Sequence, residues 1–208
     1  MRPYTILNMF TGIIQSVGEV IEHKTQEQGD LRFHIKTGLA DYDRIHIGDS
    51  IAMDGVCLTV VERQNDVVAV DVSMETVRKT SVNDWQPGTG VNIEPALTLQ
   101  TPLGGHLVSG HVDGLARCVK RESEARSEVF TFQLPIEFER FVVPKGSITL
   151  NGVSLTINEV SGDQFTVNLI PHTLKATNLD AIDVNQAVNF EIDTMARYAD
   201  KMLQYYNR

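Results

Sequence analysis

Cysteine is nearly missing from this 208-residue chain: Cys57 and Cys118 are the only two. They form neither a metal-ligand spacing nor a disulfide framework, so a reduced, cytosolic setting is expected. Positive charge is also scarce. Eighteen Lys and Arg face 27 Asp and Glu, a net charge of −9, and the basic patch that marks a nucleic-acid binder is not expected. Aromatic residues are 7% of the chain, too few for the interleaved stacking platform of a single-strand binder. No apolar run approaches the length of a membrane span. Met1 to Asn8 has neither the apolar core nor the small-residue cleavage site of a signal peptide. No G-x-x-x-x-G-K-[ST] loop occurs, so nucleoside triphosphate chemistry is not expected.

What is present is a repeat. Ser50–Glu62, S-I-A-M-D-G-V-C-L-T-V-V-E, returns 97 positions later as Ser147–Glu159, S-I-T-L-N-G-V-S-L-T-I-N-E. Glu75-Thr76 and Thr80 match His172-Thr173 and Thr177 at the same offset, and Val91–Glu94 matches Val188–Glu191. Near the copy starts Phe10-Thr11-Gly12 matches Val108-Ser109-Gly110, one residue out of step. A two-copy repeat of this length indicates duplicated domains, not a solenoid. The expected division is an extension over residues 1–8, a first copy over 9–105, a second over 106–193 and a terminal helix over 194–208.

The local pattern is that of short strands. Leu31–Ile35 and Phe165–Leu169 alternate, and Val129–Leu134 puts Phe130, Phe132 and Leu134 on one face. Val67–Val72 is β-branched and follows the turn signal Asn65-Asp66. Asp54-Gly55 and Asn151-Gly152 are dipeptides favoured in tight hairpins. Repeated short strands with such turns argue for a small barrel or sandwich in each copy. Short helices are expected just after Glu75-Thr76 and His172-Thr173, and around Leu39–Ile45 and Ile136–Phe141. Thr98 to Gly105 reads as the linker. Thr194–Tyr206 is the longest helical pattern, with Asp193 placed as its N-cap. Its stripe of Met195, Tyr198 or Ala199, Met202 and Tyr205 or Tyr206 has no partner in the repeat. It either folds back on a barrel or associates with copies of itself.

Chemistry-bearing residues are few. His106 and His111, five apart in G-G-H-L-V-S-G-H, point to opposite faces if the segment is a strand, which argues against one shared metal. His111 is the candidate for a pocket and for proton transfer. Cys57 has no basic neighbour in sequence to stabilise a thiolate, so it reads as a small apolar residue and not a nucleophile. Matching polar residues in both copies, Ser50 with Ser147 and Thr59 with Thr156, suit two similar pockets for a heteroaromatic ligand.

The motifs M-F-T-G-I at Met9–Ile13, G-V-C-L-T-V at Gly55–Val60, G-G-H-L-V-S-G-H-V at Gly104–Val112, K-G-S-I at Lys145–Ile148 and I-P-H-T-L at Ile170–Leu174 resemble the riboflavin synthase family. The resemblance runs from Met9 to the terminal helix. It implies an all-β fold of two tandem six-stranded barrels plus a C-terminal α-helix. It implies a transferase that takes two molecules of 6,7-dimethyl-8-ribityllumazine and moves a four-carbon unit between them. The products are riboflavin and 5-amino-6-(D-ribitylamino)uracil, without metal or cofactor. It also implies a homotrimer held by the terminal helices, sites between one subunit's N-barrel and a neighbour's C-barrel, and possible association with lumazine synthase.

Carried over by motif, Ser50, Cys57, His111 and Asp193 fall at catalytic positions, with the N-cap role competing for Asp193. The resemblance assigns Gly12, Ile13, Ile14, Cys57, Leu58 and Thr59, with Asp71, Val72, Ser73, Met74, Glu75 and Thr76, to the N-barrel pocket. It assigns Gly110, His111 and Val112, with Ser154, Leu155 and Thr156, to the C-barrel pocket. Ile170, Pro171, His172, Thr173, Leu174 and Lys175 complete that second pocket. Lys145 corresponds to a lysine that reaches the neighbouring subunit's ligand. His172 departs from the family's glutamate, and the extension precedes a start that the family places near the site. A non-catalytic lumazine or flavin carrier of the luminescence type is the alternative. Cys57 and His111, assigned to different pockets, are expected to meet only across a subunit boundary.

Overall fold

The computed structural model describes residues 8–26 and 29–206. The extension reading for residues 1–8 therefore falls, Asn8 apart, outside the described residues.

The first copy supplies β1 (Ser16–Thr25), β2 (Leu31–Lys36), β3 (Ser50–Met53), β4 (Val56–Gln64), β5 (Val67–Val72) and β6 (Gly90–Pro95). They close as an antiparallel barrel in the order β1-β2-β5-β4-β3-β6. The second copy supplies β7 (Gly114–Glu124), β8 (Ser127–Gln133), β9 (Ser147–Leu150), β10 (Val153–Ser161), β11 (Gln164–Leu169) and β12 (Ala187–Ile192). Their barrel runs β7-β8-β11-β10-β9-β12. The two orders are the same, as the repeat requires. Register shifts sit at Val20/Glu22 and Val60/Glu62 in one barrel and at Cys118/Lys120 and Ile157/Val160 in the other. Such bulges bend long strands and help a small barrel close.

Strand alternation decides what fills each barrel. Val56, Leu58 and Val60 point inward from β4, while Cys57 and Thr59 point out. Phe33, Ile51, Met53, Val70 and Ile93 join the inward set. In the second barrel Phe130, Phe132, Phe165 and Phe190 are fully buried, and Leu134 continues the β8 stripe. The hairpin dipeptides behave as their composition predicts: Asp54, Gly55, Asn151 and Gly152 all have positive φ, at 47°, 79°, 42° and 79°. This is the geometry of a two-residue turn matched to strand twist.

Short helices α1 (Met74–Lys79) and α2 (Pro171–Ala176) follow β5 and β11. Short 3-10 helices occupy Tyr42–Arg44, a single turn, and Ile136–Phe141, six residues long. The terminal helix α3 (Thr194–Tyr206) has the expected bounds, and Asp193 Oδ1 accepts the Met195 N–H at 2.9 Å. Two ion pairs tie α3 to the second barrel, Arg197–Asp113 at 2.8 Å and Arg140–Asp200 at 3.3 Å. The helix buries no residue. Its apolar stripe therefore does not fold back on a barrel: Met195, Tyr198, Met202 and Tyr205 are 58–75% exposed.

Candidate functional site

The copy starts do not stay with their own barrels. Phe10 and Val108 pair with each other in both directions, at 2.8 and 3.1 Å. From that bridge each chain segment crosses to the opposite barrel. Gly12 O accepts the Ser154 N–H at 2.8 Å, and Gly110 O accepts the Cys57 N–H at 2.8 Å. Ile14 packs on the second barrel's core and Val112 on the first barrel's. Both glycines are obligatory here. Gly12 and Gly110 have φ of 74° and 77°, and a Cβ would lie 2.5 Å from Ser154 Cβ or 2.6 Å from Cys57 Cβ.

This corrects the grouping drawn from the sequence. Gly12 and Ile14 border the C-barrel, with Ile13 between them turned toward first-copy residues, and Gly110 and Val112, with His111 between them, border the N-barrel. Cys57 and His111 therefore share one barrel edge within one chain. The physical reason is the buried carboxylate at the end of each copy. Glu94 accepts Thr11 N and Oγ1 at 2.7 Å and Gly12 N at 2.9 Å. Glu191 repeats this with Ser109 and Gly110. Each carboxylate clamps its own copy's start, and that start projects onto the other barrel. Burial pushes the Glu94 carboxyl up, against the pull of the Thr11, Gly12 and Ile13 donors.

On the N-barrel, Ser50 lies opposite Thr59 across the β3–β4 hairpin and Ala52 opposite Cys57. Ser50 is also hydrogen-bonded to Asn8 at 3.3 Å. Burial pushes the Cys57 thiol up and Glu191 adds to it, while a hydrogen bond with Ser50 pulls the other way. The thiol is thus held neutral, as its sequence context suggests. His111 is exposed. Asp71 faces outward and both its oxygens are taken by Arg32, at 2.6 and 2.8 Å; Glu62 holds the same guanidinium. This pair holds Asp71 below the usual carboxylate range, against a smaller upward push from burial. Ser73 caps α1 by accepting the Thr76 N–H, leaving Met74 and Glu75 exposed and Val72 and Leu58 buried.

On the C-barrel, Ser147 lies opposite Thr156 and Thr149 opposite Ser154. His106, passed over in favour of His111 at the level of sequence, bridges them. Its Nδ1 is 2.7 Å from Ser154 Oγ and its Nε2 3.2 Å from Thr149 Oγ1. Burial lowers the His106 pKa, with Asp193 opposing. Asp193 thus sits on the C-barrel side, away from Ser50, Cys57 and His111. Leu155 and Leu174 pack on the core as half-buried residues, and Thr173 is half-buried too. Thr156, Ile170, Pro171, His172 and Lys175 are exposed. Lys145 is exposed with φ 68°, at the position where the first copy has Gly48. Left-handed backbone at a residue other than glycine carries strain of order 1–3 kcal/mol. Among the described residues no helix is long and apolar enough to cross a membrane.

A further cleft of about 720 Å³ lies on the N-barrel, between the Tyr42–Arg44 turn and the linker. Ser50 and Ile13 reach it, as do Asp41, Arg44, Asp49 and Glu94.

The family model for the lumazine binding domain matches this chain twice, over residues 11–96 and 109–193. A riboflavin synthase from Brucella abortus is 42% identical over 202 residues, covering 95% of this chain and 99% of that one. One from Photobacterium leiognathi is 40% identical over 199 residues, covering 94% and 89%. Among solved structures, LumP complexed with riboflavin superposes with a TM-score of 0.81 at 25% identity, over 88% of this chain and 99% of that chain.

Proposed function

The chain belongs to the riboflavin synthase family, and on that premise we propose that it converts two molecules of 6,7-dimethyl-8-ribityllumazine into riboflavin and 5-amino-6-(D-ribitylamino)uracil. The observation that carries this reading is the pair of matched polar barrel edges in one chain. Ser50 opposite Thr59 and Ser147 opposite Thr156 repeat the same recognition set. A reaction between two copies of one molecule needs two related pockets, and fixing both reactants supplies much of the rate.

The chemistry asks little of the protein beyond position and a series of proton transfers, of which the first is loss of a 7-methyl proton. The ring delocalises the anion left when the lumazine 7-methyl loses a proton, so a neutral imidazole suffices as base. His111, exposed at the N-barrel edge beside Cys57, takes that role. The Cys57 thiol, held neutral and bonded to Ser50, acts as a hydrogen-bonding group. Four carbons pass from one ring to the other with no net oxidation, so no redox partner enters the balance.

The site is assembled between subunits in this reading. An N-barrel edge of Ser50, Cys57, Thr59, Asp71 and His111 faces a C-barrel edge of Ser154, Thr156, His106 and Asp193 from a neighbour, with Lys145 reaching across. The exposed stripe of α3 supports a homotrimer. Residues 9–105 and 106–193 are the two ligand-binding units. A cytosolic location, and association with lumazine synthase, accompany the same family reading.

The deciding experiment is incubation of the pure protein with 6,7-dimethyl-8-ribityllumazine alone. Riboflavin should appear, together with one equivalent of the pyrimidine. A protein that binds the lumazine and leaves it unchanged is a carrier instead.

A further inference from the structure

The Phe10–Val108 bridge gives the two copies a common reference point. Asn8 and His106 each stand two residues before it, at equivalent places. Both lie ahead of the stretches 11–96 and 109–193 that the lumazine binding domain model matches. Before the bridge each segment still touches its own barrel. His106 is bonded through both ring nitrogens on the C-barrel edge, to Ser154 Oγ at 2.7 Å and to Thr149 Oγ1 at 3.2 Å. On the N-barrel edge Asn8 Oδ1 accepts the Ser50 hydroxyl at 3.3 Å. The same place in the chain thus presents a polar side chain to an edge hydroxyl in both copies, an imidazole in one and an amide in the other.

Asn8 is brought to Ser50 by the two residues that follow it. The Met9 carbonyl accepts the Leu97 N–H at 2.9 Å, and the Phe10 N–H and carbonyl both bond to Val108. The Phe10 ring is fully buried among Ala52, Val108 and Cys57. A serine hydroxyl has one proton and two lone pairs. Asn8 takes the proton of Ser50. Cys57 is hydrogen-bonded to the same hydroxyl, and with that proton committed the thiol is the donor. One lone pair is left over. Ser50 is 9% exposed, and it lines the cleft of about 720 Å³.

We propose that Asn8 is a positioning residue of the N-barrel pocket: by holding the Ser50 proton it leaves Ser50 Oγ to meet the ligand as an acceptor. The proposal rests on the reading of Ser50 as a pocket residue.

The chemistry of the ligand group follows from the committed proton. A ring carbonyl finds no donor at Ser50, whereas a ring N–H or a hydroxyl of a polyol side chain finds an acceptor. Without Asn8 the Ser50 hydroxyl is free to rotate, and the ligand has to order it. The loss is that of a single net hydrogen bond at the pocket edge. His106 shows that the arrangement survives a change of side chain, since it engages Ser154 from the equivalent place.

The test is fluorescence titration of the full chain with riboflavin, a probe that reads binding apart from turnover. Asn8→Ala should weaken binding about fivefold. Asn8→Asp keeps an acceptor in the same place and should bind as the unaltered chain does. In a Ser50→Ala background Asn8→Ala should cost nothing further, because the partner is already gone. Unchanged binding in Asn8→Ala overturns the proposal, as does an equal loss in Asn8→Asp or a loss that persists in the Ser50→Ala background. Tighter binding in Asn8→Ala also overturns it, since Asn8 would then be competing with the ligand for Ser50. A chain that shows the expected pattern with riboflavin and still leaves 6,7-dimethyl-8-ribityllumazine unchanged keeps this role for Asn8 and loses the proposed reaction.

Discussion

Cys57 and Ser154 hold equivalent places on their barrels, so one residue can be tested with the other's side chain. The Cys57 thiol is held neutral and bonded to Ser50, a role that a hydroxyl can fill. Cys57→Ser should keep turnover within about tenfold, while Cys57→Ala loses the hydrogen bond and slows further, by an amount near 1 kcal/mol. Alkylation by iodoacetamide near pH 7 should be slow, since thiolate is the reactive form; rapid labelling would show a stabilised thiolate. His111→Ala should cost about 100-fold or more in riboflavin formation, the ordinary worth of general acid–base catalysis, with ligand affinity within about tenfold. Steady-state rates and fluorescence titration separate the two. Ser50, Cys57 and His111 were open to proposal from the sequence because each lies in the repeat or in a family motif. The place of His106 was not, because its contact with Ser154 and Thr149 joins residues more than forty positions apart that no periodicity links.

Elements were read more fully than their attachments. Alternation marked β2, β8 and β11, β-branched composition marked β5, and Asp54-Gly55 and Asn151-Gly152 marked both hairpins, because period and turn chemistry are local. The segments around Gly12 and Gly110 carry no period, so nothing local says which barrel they pack on, and Glu94 and Glu191 decide it from more than eighty residues away. These glycines give a sharp test. Gly110→Ala places a Cβ against Cys57 in left-handed backbone and should cost about 3 kcal/mol through overpacking and strain. For a chain of this size that is a melting temperature lower by roughly 6–12 °C. At Gly88, where a Cβ would meet nothing within 4 Å, Gly88→Ala keeps only the backbone strain and should cost less. The α3 stripe makes its own prediction. A chain ending at Asp193 should run as a monomer in size-exclusion chromatography with an unchanged β-sheet circular dichroism spectrum. A truncated protein that kept the full-length chain's oligomeric state would move the proposed assembly contacts to the barrels.

At the scale of the whole molecule, the crossing of copy starts changes which pairs of variants complement each other. Cys57 and His111 border the same N-barrel, so subunit-exchanged trimers of Cys57→Ala and His111→Ala gain no interface holding both residues on one edge. His111→Ala mixed with Thr156→Ala should recover activity, because an intact N-barrel edge can then face an intact C-barrel edge from another chain. Recovery in the first mixture and none in the second would mean that the edges are shared differently. The Phe10–Val108 bridge also bears on descent. Neither half of the chain finishes its own rim: the Gly12 carbonyl needs the Ser154 amide, and the Gly110 carbonyl needs that of Cys57. A half-length ancestor carrying one repeat would meet this need by exchanging its leading residues with a twin around a two-fold axis. Gene fusion would then have frozen that twinned pair into a single polypeptide, freeing each half to drift from the other at positions such as 54 and 151.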